Sequence, residues 1–113
     1  MNEIITHVSE LDDCIILYNM SIDEIIFYRQ YFFKDDKTRL ILSDVSVHVG
    51  FRKNKLGTRI LKIHHDFCKL HGVKYSLLWV DKGSWMEQWY MRNGYVFHEE
   101  KSETENWLIK EIF

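Results

Sequence analysis

Val47 to Leu61 reads VHVGFRKNKLGTRIL, and this stretch decides the fold. Ser46, Val47, His48 and Val49 have the character of a strand, and Gly50 and Gly57 punctuate a loop after it. From Leu56 the apolar residues Leu56, Ile60, Ile63, Phe67 and Leu70 recur at the spacing of one helix face. The spacing predicts a helix from Leu56 to His71, closed by Gly72. A strand that delivers a loop into a helix N-terminus aims several unpaired backbone N–H groups at one point. The helix dipole adds roughly half a positive charge there. Arg52, Lys53, Lys55 and Arg59 surround that point, so the stretch describes an anion pocket suited to phosphate.

Upstream, Ile4–Val8, Cys14–Met20, Ile25–Phe33 and Thr38–Val49 read as four strands joined by polar turns at SELDD, Ser21–Glu24 and KDDK. The pattern is an antiparallel meander, and nothing before Leu56 has the length and period of a helix. Downstream, Tyr75–Val80 (YSLLWV) is apolar almost throughout, as a strand in the centre of a sheet should be. Ser84 is placed to cap a short helix over Trp85–Asn93, stopped by Asn93-Gly94. Tyr95–His98 and Trp107–Phe113 form a last strand pair around the polar run EEKSETEN. The fold class expected is α/β (α+β), with a mixed, mostly antiparallel sheet of about six to seven strands and two helices after the fourth. Residues 1–113 are read as one domain.

Two motifs in this layout carry a family resemblance. RKNKLG (Arg52–Gly57) resembles the acyl-CoA pyrophosphate loop of the GNAT superfamily of N-acetyltransferases, R/Q-x-x-G-x-G/A after a strand ending in valine. Val47 falls where that valine belongs, and Lys55 stands where the middle glycine usually sits. WYMRNGY (Trp89–Tyr95) is similar to the superfamily's F-Y-x-K-x-G-F segment, with Trp89, Tyr90, Arg92, Gly94 and Tyr95 in matching places. The resemblance covers roughly Arg39 to the C-terminus. It implies acetyl-CoA as cosubstrate, held by Val47, Val49, Arg52, Lys53, Asn54, Lys55, Leu56, Gly57 and Thr58. It implies direct attack of a primary amine on the thioester, Tyr90 as the general acid, and carbonyl polarisation by backbone N–H groups where the fourth strand splays from the fifth, around Val47–Val49. Members of the superfamily usually carry two helices after the first strand. Their apparent absence here implies an open acceptor side, suited to a protein lysine or N-terminus more than to a polyamine or amino sugar. Many members pair through exposed strands, so a homodimer is a further expectation.

The chemistry has gaps. A phenol of pKa about 10 donating to a thiolate of pKa about 8.5 goes uphill by ~1.5 units, which makes Tyr90 a workable acid. A lysine amine at pH 7 must lose a proton held ~3.4 units above that pH, at a cost of ~4.6 kcal/mol. The glutamate that histone-type relatives use for this would fall near Ile41, leaving Asp44 and His48 as candidate bases acting through water. Glu99, Glu100, Glu103 and Glu105 are either an attractant for a cationic amine or a solvated turn. His64 and Cys68 sit at i, i+4 but lack further ligands, so no metal is expected. The alternative to an enzyme is a GNAT-fold interaction module that has lost its chemistry, suggested by Lys55, the absence of the two helices and the missing base.

Composition narrows the setting. Hydrophobic residues make up 46% and aromatics 15% of the chain, which predicts a packed core. A net charge of −2 counts against nucleic acid as a partner. Cys14 and Cys68 lie far apart without metal spacing and read as reduced thiols of a cytoplasmic protein. Neither a signal peptide nor a membrane span is expected, because no long apolar run occurs.

Overall fold

The computed structural model describes residues 5–21, 26–47 and 56–113. Its elements are β1 (Ile5–Glu10), β2 (Cys14–Ser21), β3 (Ile26–Phe33), β4 (Asp36–Val47), α1 (Leu56–Leu70), β5 (Tyr75–Asp81), α2 (Trp85–Arg92), β6 (Val96–Glu100) and β7 (Glu105–Glu111). The strands form one seven-stranded sheet in the order β1-β2-β3-β4-β5-β7-β6. Each neighbouring pair is antiparallel except β4 and β5, which run parallel with α1 as the crossover. The expected mixed sheet and its two helices after the fourth strand are therefore present.

Most boundaries differ from expectation by strands that run longer, although Tyr95 lies outside β6 and Ile112 and Phe113 outside β7. Ser9 and Glu10 belong to β1, Asp36 and Lys37 to β4, Glu99 and Glu100 to β6, and Glu105 and Asn106 to β7. Polar residues that read as turns extend the strands, because hairpin ladders continue past the apolar pattern until the chain must reverse. The turn after β1 shrinks to Leu11–Asp13 and is closed by Leu11 N–H donating to Cys14 C=O at 2.9 Å.

Register assigns the two faces of the sheet. Thr6, Asn19, Tyr28, Gln30, Leu42, Ser76, Leu78 and Leu108 lie on one face, and both helices pack there. From Thr58 on, the buried residues of α1 are Ile60, Leu61, His64 and Cys68, whereas Leu70 is 79% exposed. The buried stripe is thus rotated from the one read in the sequence, with a histidine at its centre. The opposite face carries Tyr18, Phe27, Arg29, Tyr31, Ile41, Leu77, Trp79, Trp107 and Ile109. Among the described residues no helix covers it.

The core falls into two clusters. Tyr28, Leu42, Ile60, Leu61, Leu78, Val80, Tyr90, Tyr95 and Leu108 form the larger. Leu40, Cys68 and Val73, flanked by Phe32 and Phe67, form the smaller under the C-terminal turn of α1. That turn ends in a Schellman motif, with Val73 N–H on Cys68 C=O at 2.8 Å and Gly72 at φ 68°. Among the described residues no helix is long and apolar enough to cross a membrane.

Candidate active site

The sheet has a gap at its centre. β4 and β5 pair over three positions, Arg39–Ile41 with Tyr75–Leu77, and then separate. Beyond Ile41, β4 stays with β3 as far as Val47 opposite Ile26. Beyond Leu77, β5 stays with β7 as far as Asp81 opposite Glu105. The facing backbone edges of Leu42–Val47 and Leu78–Asp81 are thus left without each other. A bulge contributes to this: Phe27 faces Ser46 and Arg29 faces Ser43, so Tyr28 opposes two residues, Asp44 and Val45. An extra residue bends and twists its strand, and bulges recur beside active sites for that reason. The splay starts directly after Ile41, several residues before the Val47–Val49 position expected for it.

Tyr90 is buried in the same cluster as Leu42, Leu78 and Val80 from the two edges, and the end of α2 fixes it there. Ser84 Oγ accepts from Glu87 N–H at 3.2 Å to start the helix, while Glu87 Oε1 accepts from Gly83 N–H. At the other end Tyr95 N–H donates to Tyr90 C=O at 3.1 Å and Gly94 N–H to Met91 C=O at 3.2 Å. This second Schellman motif folds Tyr95 back onto Tyr90, and their rings meet edge to face at 5.6 Å. Gly94 has φ 96°, and a Cβ there would lie 3.0 Å from Lys110 Cε. The spacing of Tyr90, Gly94 and Tyr95 in WYMRNGY therefore has a mechanical basis. Burial pushes the Tyr90 phenol up to about 12.

A buried polar chain runs behind the cleft. His64 is fully buried, and burial, then the neighbouring His65, pulls its imidazole down to about 3. It is therefore neutral. Gln30 Nε2 donates to Asn19 Oδ1 at 3.2 Å, and Asn19 Nδ2 donates to Thr6 Oγ1 at 2.8 Å. Gln30 Oε1 must then accept from His64 Nδ1–H, at 2.6 Å. That leaves His64 Nε2 to accept from the Ser76 hydroxyl at 2.5 Å. Ser76 in turn accepts from Tyr95 O–H at 2.5 Å, and Tyr95 accepts from His65 Nε2–H at 3.1 Å. Every link points the same way, from His65 to Thr6. Sequence reading weighed His64 only as a metal ligand and Tyr95 only as a motif position, and it passed over Thr6, Asn19, Gln30 and Ser76 because each is polar at a strand position. The signal was a histidine in phase with Ile60 on the buried side of α1.

One polar atom in this neighbourhood is unmatched. Tyr28 is fully buried, and its hydroxyl has no hydrogen-bond partner among the described residues. Such a group ordinarily costs about 1–3 kcal/mol. Burial pushes its phenol up to about 12.

Of the residues named for cofactor binding, Val49, Arg52, Lys53, Asn54 and Lys55 lie outside the described residues, as does the candidate base His48. Val47 ends β4, and Leu56 and Gly57 open α1 on the far side of that segment. Thr58, in the first turn, is exposed, and that turn holds no acidic residue to oppose an anion. Asp44 lies in the bulge opposite Tyr28. His64 and Cys68 are not paired ligands: both ring nitrogens of His64 are engaged, and burial raises the Cys68 thiol to about 12. In the acidic run, Glu100 pairs with Lys82 at 3.1 Å and Glu105 with Lys101 at 3.4 Å. Lys101 Nζ also lies 5.1 Å from the centre of the Trp79 ring, which meets Trp107 edge to face. An ammonium thus sits between an indole and a carboxylate on the helix-free face, beside the cleft. A separate depression, lined by Tyr75, Val96, Ile109 and Glu111, lies at the opposite end of β5.

No family model and no curated protein sequence matches the chain. Solved structures do match in shape. The chain is similar to the PaiA N-acetyltransferase of Thermoplasma acidophilum in complex with coenzyme A, with TM-score 0.68 and 17% identity over 88% of this chain. It spans 61% of the length of that protein. A GNAT family acetyltransferase of Elizabethkingia anophelis with acetyl-CoA bound aligns at TM-score 0.67 and 13% identity, over 96% of this chain and 97% of its own. The ribosomal-protein-S18-alanine N-acetyltransferase of Escherichia coli aligns at TM-score 0.69 and 13% identity, over 91% of this chain and 72% of its own. The parted parallel strands, the crossover helix and these neighbours agree that the chain has the fold of the GNAT N-acetyltransferases.

Proposed function

We propose that the protein is an acyl-CoA-dependent N-acetyltransferase acting on a primary amine. The observation that carries this is the cleft between Leu42–Val47 and Leu78–Asp81, open within an otherwise paired sheet. A slot whose two lips do not pair with each other suits a linear ligand carrying amides and a carbonyl, as an acyl-pantetheine arm does. Structures sharing the fold hold coenzyme A or acetyl-CoA, one of them nearly the same length as this chain. The basic segment Arg52–Lys55 and the helix start at Leu56–Thr58 are the candidates to hold the diphosphate.

In this reading the neutral amine attacks the thioester carbonyl, the C–S bond breaks, and the thiolate takes a proton from Tyr90. Asp44 and His48 remain the candidates to accept the proton lost by the amine. The helix-free face, aromatic from Tyr18 to Trp107, favours a protein lysine or N-terminus over a small enclosed acceptor. The Lys101 ammonium over Trp79 supports a cationic acceptor, since that wall already accommodates one. Free Cys14 and Cys68 fit a reducing, cytoplasmic setting.

Calorimetry with acetyl-CoA tests the reading. Micromolar binding to the wild type, lost in Gly57→Trp, is expected, because an indole in place of the last glycine of RKNKLG should block the loop proposed to hold the diphosphate. If neither acetyl-CoA nor CoA binds the wild type, the enzyme reading fails and an interaction module takes its place.

A further inference from the structure

Tyr28 is the residue the site leaves unexplained. Its neighbours on the helix face satisfy one another completely: Asn19, directly opposite on β2, gives its nitrogen to Thr6 and takes Gln30's. Gln30, two residues on, accepts from His64 Nδ1–H at its oxygen. The orphan hydroxyl is therefore not a symptom of loose packing. Tyr28 faces the bulge at Asp44 and Val45 that draws β4 away from β5. It belongs to the cluster containing Leu42 from one lip of the cleft, Leu78 and Val80 from the other, and Tyr90. A buried neutral O–H in an apolar wall is matched by a neutral acceptor, because a charged partner would itself have to be desolvated there.

We infer that the Tyr28 hydroxyl donates a hydrogen bond to a carbonyl oxygen of the acyl-thioester arm held in the cleft between β4 and β5. The inference rests on the acyl-donor reading above and names a second phenol for that site, beside Tyr90 and distinct from it in role. Tyr28 holds the arm, and no proton leaves it. The phenol keeps its proton throughout the neutral range, so the donor is always available.

Tyr28→Phe is the test, since it removes one oxygen and keeps the ring. Two readouts are expected to move in opposite directions. The urea midpoint of the free protein rises, because a buried unpaired hydroxyl is gone. Calorimetric affinity for acetyl-CoA falls about tenfold. A tenfold loss for acetyl-CoA with CoA unchanged assigns the bond to the thioester carbonyl, and an equal loss for both assigns it to an amide of the arm. Unchanged affinity for both, with a raised midpoint, overturns the proposal. So does a lowered midpoint, which would mean that the hydroxyl already has a partner, such as a resident water. A wild type that binds neither ligand removes the acyl-donor reading and this inference with it. The wild-type titration alone therefore separates the two failures.

Discussion

Tyr90 shows what burial does to a residue whose role was inferred from position. A free phenol would protonate a thiolate at a deficit of ~1.5 units, but at about 12 the deficit is roughly 3.5 units. The donor must then be aligned with the sulfur before the C–S bond breaks. Tyr90→Phe is expected to bind acetyl-CoA within about twofold of wild type and to lose roughly 100-fold or more in turnover. Because the phenol stays protonated below pH 10, the pH–rate profile should show no alkaline fall from Tyr90 in the measurable range. A fall near pH 9 that disappears in Tyr90→Phe would contradict the assignment. His64 makes the complementary case. Its imidazole ionises near 6.5 unfolded and near 3 folded, so the unfolded state binds the extra proton between those values. The stability it protects is whole above about pH 6.5 and is lost as pH falls toward 3, by up to about 1 kcal/mol per unit. Thermal melts from pH 7 to 4 should show this decline, and His64→Gln should flatten it. An equally steep decline in the variant would place the acid sensitivity elsewhere.

At the scale of elements, the helix ends were legible and the strand ends were not. Ser84, Gly72 and Gly94 announce caps whose geometry depends on a few neighbouring residues, and each is found where expected. Strand ends such as Glu10, Asp36 and Glu105 depend on the partner strand, which no local pattern reveals. The same holds for the bulge at Asp44 and Val45 and for the burial of His64, which are settled by β3, β5 and Tyr95. Two glycine substitutions probe the caps. Gly72→Ala meets open space and should cost about 1 kcal/mol from its left-handed backbone alone. Gly94→Ala must also push Lys110 aside, a residue bonded to Asn93 C=O at 2.9 Å, and should cost more. It should also reduce turnover, because the same motif sets Tyr95 against Tyr90. Equal urea midpoints for the two variants would show that Lys110 yields freely.

For the whole molecule, the sheet is two leaves, β1–β4 and β5-β7-β6, joined by three paired positions and α1. A ligand that binds only the folded chain stabilises it by mass action, so acetyl-CoA at 100 times its Kd should add about 2.7 kcal/mol, or roughly 10 °C in Tm. Amide exchange should slow most along Leu42–Val47 and Leu78–Asp81. A shift below about 2 °C under those conditions would mean that acetyl-CoA does not bind the folded chain selectively. The cleft itself was legible only through the motifs flanking it. Its walls come from strands distant in sequence, and no periodicity announces where two strands stop pairing.

The leaves are also consecutive in the chain, and this matters during synthesis. All of β4 has emerged before any of β5 exists, so a nascent chain displays Leu40, Ile41 and Leu42 along a bare edge. Charged residues stand on both sides of that apolar run, Asp36, Lys37 and Arg39 before it and Asp44 after it, where they discourage a second nascent chain from docking. β5, made after α1, closes three positions of that edge and leaves the remainder ajar, so the place where a growing chain is most exposed becomes the place where the finished one can receive its ligand.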